Sequence, residues 1–280
     1  DGKKLRGDNN LYKVFIEKAH TILKQDGMCG FVVPSGLNTD QGCTGLRRLL
    51  FDNASVQEII MFENKRAIFP DVHRQYKFET IIFSKNPARK KDFTVGFYWQ
   101  DARWLLAPII TGDNVLDKQE QTAHERFVYP TRLSQLLSPE MGALLELRNK
   151  KDIAVVEQIA KWPLLGDDKQ TWYGRPYREF DMTLDSKLFN TDGEGYPLFE
   201  GKTMHQFDAH FESPTRYVIS GQGEERLARK WGTEPHRLPN RQYRIGFRSI
   251  ASATNERTLI AALLPKYIFS GNSVNFISTS

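Results

Sequence analysis

Met28-Cys29-Gly30-Phe31-Val32-Val33-Pro34 is a short, nearly continuous apolar run, too brief for a helix and without the alternation of a half-solvated strand. Such a run suits a strand covered on both faces, as in a parallel sheet. Upstream of it, Leu11, Val14, Phe15, Ala19, Ile22 and Leu23 recur at helical spacing behind Asn10, a favoured capping residue, and Gln25-Asp26-Gly27 ends the helix. Downstream, residues 35–44 read as a polar loop with two glycines, and Leu46, Leu49, Leu50 and Phe51 predict a second helix. Further strands are predicted at 56–62, 78–83 and 93–99, the last after the basic turn Ala88-Arg89-Lys90-Lys91. This alternation of helix and strand predicts an α/β layer.

The pattern weakens from about residue 107, where polar residues dominate and Pro108, Pro130 and Pro139 interrupt. A connecting stretch is expected there, with amphipathic helices at 141–147 and 153–162. From Trp172 the text changes: Trp172, Tyr173, Arg175, Tyr177, Arg178 and Phe180 interleave rings with charge, and Asp192-Gly193 and Gly221-Gln222-Gly223 read as turns. A second, α+β domain is expected. The boundaries that follow are 1–106, 107–165 and 166–280.

Composition narrows the function. A chain of 280 residues with 40% hydrophobic and 26% charged residues excludes disorder and collagen-like architecture. No run approaches the roughly 20 apolar residues of a membrane helix, and the start, Asp1-Gly2-Lys3-Lys4, has no apolar stretch behind its charges and so is not a secretory signal. It also lacks Met, so we expect the chain to begin inside a longer gene product. With only Cys29 and Cys43, neither a disulfide framework nor a four-cysteine metal site is available, and a cytoplasmic location is expected. The net charge of +5 permits an acidic partner without demanding one. Segment 213–257 holds nine basic residues, eight of them Arg, against four acidic ones, an excess equal to that of the whole chain. Within it, Tyr243, Ile245 and Phe247 share one face of a predicted strand and Arg244, Gly246 and Arg248 the other, which sets the two arginines roughly 13 Å apart. That spacing suits phosphates along a duplex; it equally suits a solvated face with two salt bridges.

Several motifs are decoys. Gly221-Gln222-Gly223 precedes Glu224-Glu225, which would repel a phosphate. His205 and His210 stand five apart with Asp208 between them, a poor metal-ligand spacing, and no metal is expected. Pro70-Asp71 is followed by Glu79-Thr80-Ile81, where a nuclease centre needs Lys, and Ser35 lies outside a Gly-x-Ser-x-Gly elbow.

Several segments together resemble one family. Residues 10–17 with 27–35 look like the helix and strand just downstream of the catalytic motif in adenine-N6 DNA methyltransferases, and 56–62 with Ile68-Phe69-Pro70-Asp71-Val72-His73-Arg74-Gln75-Tyr76-Lys77-Phe78 continue the match through that family's last sheet strands. The similar enzymes are large single-chain restriction–modification proteins and phage-defence methyltransferases. Residues 197–208, 243–251 and 254–260 resemble parts of that family's target-recognition region. The resemblance implies a partial Rossmann-like methyltransferase sheet followed by an α+β target-recognition domain. The family's glycine motif for S-adenosylmethionine and its Asn-Pro-Pro-Tyr are absent here. The implied object is therefore the C-terminal part of a methyltransferase, inactive alone, with S-adenosylmethionine bound in the parent enzyme and not by this piece. The alternative is a stand-alone nucleic-acid-binding or scaffold protein with a degenerate methyltransferase half.

The resemblance also implies roles. Phe69 occupies the position of an aromatic that stacks on the flipped adenine, an extrusion that chemistry on a base inside a duplex requires. Arg74 and Lys77 would hold flanking phosphates, and Lys202, His205 and Gln206 would read base edges or phosphate. Arg244 and Arg248 would contact DNA, as would Arg257 near a helix start capped by Thr254 or Asn255. Trp172 and Trp231 are expected to pack. The implied partners are double-stranded DNA and an N-terminal methyltransferase half, with or without a nuclease, and no membrane.

Overall fold

The computed structural model describes residues 10–86, 92–106, 125–167, 169–170, 173–252 and 255–278. The chain divides into two compact units, Asp1–Trp162 and Pro163–Ser280. The predicted basic turn at 88–91, Trp172 and Thr254 lie outside the described residues.

In the first unit the apolar periodicity at 11–23 forms helix α1 (Leu11–Ile22), with Asn10 at the cap position but without a side-chain capping bond. Then come β1 (Met28–Pro34), the short α2 (Gly36–Thr39), α3 (Thr44–Asp52), β2 (Ser55–Glu63), β3 (Lys77–Ser84) and β4 (Phe93–Trp99). The unit ends with β5 (Phe127–Tyr129), α4 (Arg132–Leu137) and α5 (Lys151–Ile159). The sheet order is β1-β3-β2-β4-β5. β3 is antiparallel to both β1 and β2, so those two strands point the same way and α3 lies in the crossover between them. β4 is parallel to β2 and β5 antiparallel to β4. The sheet is therefore mixed, where the sequence predicts a parallel one.

Ile16 of α1 and Leu50 of α3 bury against Ile59, Ile81, Phe83 and Val95 on one side of the sheet. On the other side Ile60, Phe62 and Phe78 pack with Trp99 and Trp104. Each such side chain contributes about 1.5–3 kcal/mol on leaving water. β2, central in the sheet, is covered on both sides, as a continuous apolar run requires. β1 is not: Met28 and Val32 are exposed, because β1 is the end strand of the sheet. Leu11, Val14, Phe15 and Ile22 of α1 are exposed as well.

The helix predicted at 141–147 is absent. Leu144 and Leu147 are buried, but the backbone there is irregular, and the Leu144 and Leu145 N–H groups donate to Asn38 O (3.0 Å) and Tyr129 Oη (3.2 Å). Tertiary partners take the hydrogen bonds a helix would have used. α5 realises the second predicted helix, its start held by Asp152 Oδ2, which accepts from the Arg148 and Asn149 N–H groups.

The second unit contains β6 (Arg175–Tyr177), β7 (Phe189–Asn190), β8 (Tyr196–Phe199), β9 (Tyr217–Val218), α6 (Ser220–Trp231), β10 (Arg244–Arg248), β11 (Ala261–Leu264), β12 (Phe269–Ser270) and β13 (Val274–Ser278). They form two four-stranded sheets, β11-β10-β13-β6 and β12-β8-β9-β7. Phe180, Leu198, Val218, Leu227, Leu238 and Phe269 make one core, and Phe199, Met204, Ala262, Leu264, Val274 and Phe276 another. Trp231 packs against both, edge-on to Tyr177 and Phe276. Gly221-Gln222-Gly223 is the first turn of α6 and not a loop. A Cβ at Gly223 would stand 2.6 Å from the Phe269 ring, so glycine lets the helix approach β12.

Candidate nucleic-acid interface

In an open α/β sheet, ligands meet the carboxyl ends of the parallel strands. At the carboxyl end of β2, Asn64 is fully buried and clamps the loop that follows. Its Nδ2 donates to Phe69 O (2.9 Å) and Val72 O (2.8 Å), and its Oδ1 accepts from the Phe69 N–H (2.9 Å). Ala67 holds a left-handed backbone (φ 54°) within this loop. The Phe69 ring rests edge-on against Phe78, centroids 4.9 Å apart, yet stays 42% exposed. At the carboxyl end of β1 an open cavity of about 810 Å³ is lined by Tyr12, Ser35, Thr39, Asp40, Tyr76 and Lys77, among others.

Arg74 is exposed and donates to Lys65 O at 3.4 Å. Lys77 is half-buried, ion-paired to Glu146 at 2.6 Å and set over the Tyr98 ring, so its charge has a partner within the unit. The same unit holds a polar cluster the sequence did not reveal. Glu79 is buried and accepts from Asn38 Nδ2 at 2.6 Å, while its Oε1 has no hydrogen-bond partner. Burial pushes its carboxyl well above the usual range, against the Asn38 bond and the Arg47 charge; Glu146 adds to the rise. Burial lowers the Arg47 pKa, and the guanidinium donates to Leu37 O, Asp40 O and Met141 O. Burial raises the Tyr12 phenol, whose Oη lies 3.2 Å from Cys43 Sγ.

In the second unit, the arginines largely serve the fold. Arg244, expected on DNA, is buried: Nη1 pairs with Glu179 Oε1 at 2.5 Å, Nη2 donates to Ile268 O at 3.0 Å, and the guanidinium covers the Phe276 ring. The other Glu179 oxygen accepts from the Ser270 N–H (2.6 Å) and Oγ (2.8 Å). The expected alternation is therefore inverted: Arg244 and Gly246 face inward, Tyr243 and Ile245 outward. Arg248 is half-buried and donates from Nε and Nη2 to Met204 O (3.0 and 2.5 Å). Arg216, Arg226 and Arg241 pair with Glu200, Asp185 and Glu224. Glu179, Asp185 and Glu200 precede residue 213, so the excess of segment 213–257 is compensated in space by carboxylates from outside it.

Lys202 is exposed and donates to Thr215 Oγ1 at 3.1 Å. His205 is exposed against Phe211, and Gln206 Oε1 accepts from the Ala261 N–H at 3.1 Å. Arg257 is exposed in an irregular segment: no helix begins at 255–260, which correspondingly offers no N-terminal phosphate site. Asn64 and Glu179 were missed from sequence. Asn64 had one signal, a polar residue between a strand and an aromatic loop; Glu179 had none.

Residues 2–69 match the family model of the Eco57I restriction-modification methylase. No curated protein matches the chain significantly. Among solved structures, the type IIL restriction-modification enzyme MmeI, determined in complex with DNA, aligns with 98% of this chain and 36% of its own at 9% identity, TM-score 0.51. The M protein of the type I restriction enzyme EcoKI aligns with 54% of this chain and 42% of its own, at 12% identity and TM-score 0.37. The type IIG restriction endonuclease BpuSI aligns with 99% of this chain and 37% of its own, at 9% identity and TM-score 0.38. The chain thus spans under half the length of each. Residues 2–69, well under half of the chain, thus match a restriction-modification methylase family model, and the fold of the chain resembles that of MmeI.

Proposed function

We propose that this chain is the base-stacking and DNA-recognition portion of a site-specific DNA adenine-N6 methyltransferase of the restriction–modification or defence type. The observation that carries the reading is the Asn64-clamped loop, which presents an exposed Phe69 ring at the carboxyl end of β2. An aromatic held there gives a flipped adenine a stacking partner. Arg74 beside it, and Lys202, His205, Gln206 and Arg257 in the second unit, supply exposed or half-exposed groups for phosphates and base edges. Among the described residues, Gly221-Gln222-Gly223 is no glycine cradle for S-adenosylmethionine: it lies in α6, with Gly223 turned to Phe269. We place that cofactor, which supplies the methyl group, in the other half of a parent enzyme. Among the described residues the outer edge of β1 has no strand partner and α1 exposes apolar side chains, which gives that half a docking surface.

The stand-alone scaffold reading is favoured by one observation, the commitment of Arg244, Arg248 and Lys77 to partners inside their own units. Complementation separates the two. The chain with a duplex and labelled S-adenosylmethionine transfers no methyl group. An N-terminal segment carrying a glycine motif and Asn-Pro-Pro-Tyr, added in trans, restores transfer to adenine, and Phe69→Ala removes most of it. Failure to restore transfer with both pieces folded contradicts the methyltransferase reading. Undiminished transfer by Phe69→Ala removes the stacking role.

A further inference from the structure

The residue most at odds with the fold is Phe207. It sits in the two-residue turn of a tight hairpin closed by two backbone bonds, His205 N–H to Asp208 O (2.7 Å) and Asp208 N–H to His205 O (3.0 Å). Its backbone is left-handed, φ 65°, while Gln206 before it is not. That is the third position of a type II turn, where glycine or asparagine belongs and a bulky side chain is strained. The ring gains nothing in the fold for this strain, because Phe207 is 82% exposed.

The turn is nonetheless held firmly. The Phe207 N–H donates to Ala261 O at 2.8 Å and the Ala261 N–H to Gln206 Oε1 at 3.1 Å, stitching the turn to the first residue of β11. Arg248 clamps Met204 O behind it, and Met204 itself is fully buried. Asp208 Oδ1 accepts from the His210 N–H, fixing the exit. A strained, rigid mount for an exposed aromatic points to a function for the ring. The neighbouring basic side chains are His205 on the hairpin, exposed Lys202 in the turn just before it, and exposed Arg257 four residues before Ala261; the exposed carboxylates among them are Asp208 in the hairpin itself, Glu212 and Glu256.

We infer that Phe207 is a wedge that enters a base step of duplex DNA, partly unstacking it, with Gln206 beside it at the base edges. Apolar wedges next to Gln, Lys or Arg are a recurring way of kinking a duplex. The inference rests on the DNA-recognition reading of the second unit and adds to it a residue and a distortion.

The test uses the full chain, a relaxed closed-circular plasmid and topoisomerase I. A wedge unwinds the duplex, so wild-type protein shifts the topoisomer distribution after relaxation, and Phe207→Gly does not. Binding to a mixed-sequence duplex, read by fluorescence anisotropy, weakens about tenfold in Phe207→Gly, with the slope against salt unchanged because no phosphate contact is lost. Thermal melting of Phe207→Gly is not lowered, since glycine relieves the left-handed strain. Equal unwinding by both proteins, or a lowered melting temperature in the variant, overturns the wedge and leaves DNA recognition standing. If the wild type associates with itself and only the variant is monomeric while unwinding is equal, Phe207 is a protein contact. No binding by folded wild-type protein overturns the recognition reading and the wedge with it.

Discussion

Asn64 commits both polar atoms of its side chain to the backbone at Phe69 and Val72. Removing it leaves buried groups unpaired, so Asn64→Ala costs about 2–3 kcal/mol in urea unfolding. Phe69→Ala, with the ring 42% exposed, costs about 1 kcal/mol or less. The pair thus separates the support of the loop from the ring it presents. Glu79 makes a prediction in pH. Its folded-state pKa lies above its unfolded value, so the folded protein holds the proton longer. Its stabilising contribution is full below the ordinary carboxylate range and is lost as pH rises toward the raised value. Arg47, Glu146 and Asn38 are the groups that face it. Glu79→Gln keeps an acceptor for Asn38 and removes the loss: its melting temperature matches wild type near pH 4 and exceeds it at pH 8. Equal melting at pH 8 would show Glu79 neither strained nor protonated. Phe69 drew notice because a motif surrounds it, and its exposed loop position agrees with that; Glu79 reads in the sequence as an ordinary strand carboxylate.

At the scale of elements, strand positions followed from apolar runs and pairings did not. The runs that form β1 to β4 lie where hydrophobicity places them. That β3 inserts antiparallel between β1 and β2 is a long-range choice absent from any local window. β10 shows the same limit in its side chains. Alternation correctly divides 243–248 into two faces, but Glu179, 65 residues before Arg244, decides which face turns inward. Arg244→Ala therefore destabilises by about 3–5 kcal/mol, because it strands a buried carboxylate. Chemical denaturation measures this, and the salt slope for DNA stays that of wild type in whatever fraction remains folded. A fall in that slope from folded Arg244→Ala would return this arginine to the DNA surface. The helix expected at 141–147 failed for a related reason: spacing of Leu144 and Leu147 is compatible with a helix, but Asn38 and Tyr129 take its backbone donors.

At the scale of the molecule, the described residues of the first unit leave an end strand without a partner on one edge and an apolar helix face exposed. Met28, Val32, Leu11, Val14, Phe15 and Ile22 are exposed at β1 and α1. An unpaired edge with apolar residues invites association. The chain alone should bind a hydrophobic dye and self-associate at micromolar concentration. The double variant Phe15→Glu, Val32→Lys should suppress both, as seen by light scattering, without lowering the melting temperature. A monomeric wild type that binds no dye would contradict a docking role for this face. The charge balance also reads differently at this scale. The basic segment 213–257 is largely tied into ion pairs and backbone carbonyls; with Arg244, Arg248 and Lys77 so committed, Arg74, Lys202 and Arg257 are the exposed predicted contacts that carry a permanent positive charge.

Those three cations set the measurement that bears most directly on DNA recognition: anisotropy of a labelled mixed-sequence duplex titrated with the full chain across a salt series. Binding is expected at low salt, with log affinity falling linearly against log salt at a slope of about −3. Arg257→Ala and Lys202→Ala should each make the slope shallower by about one. Folded protein that fails to bind at low salt, or binding whose slope ignores both substitutions, would contradict it.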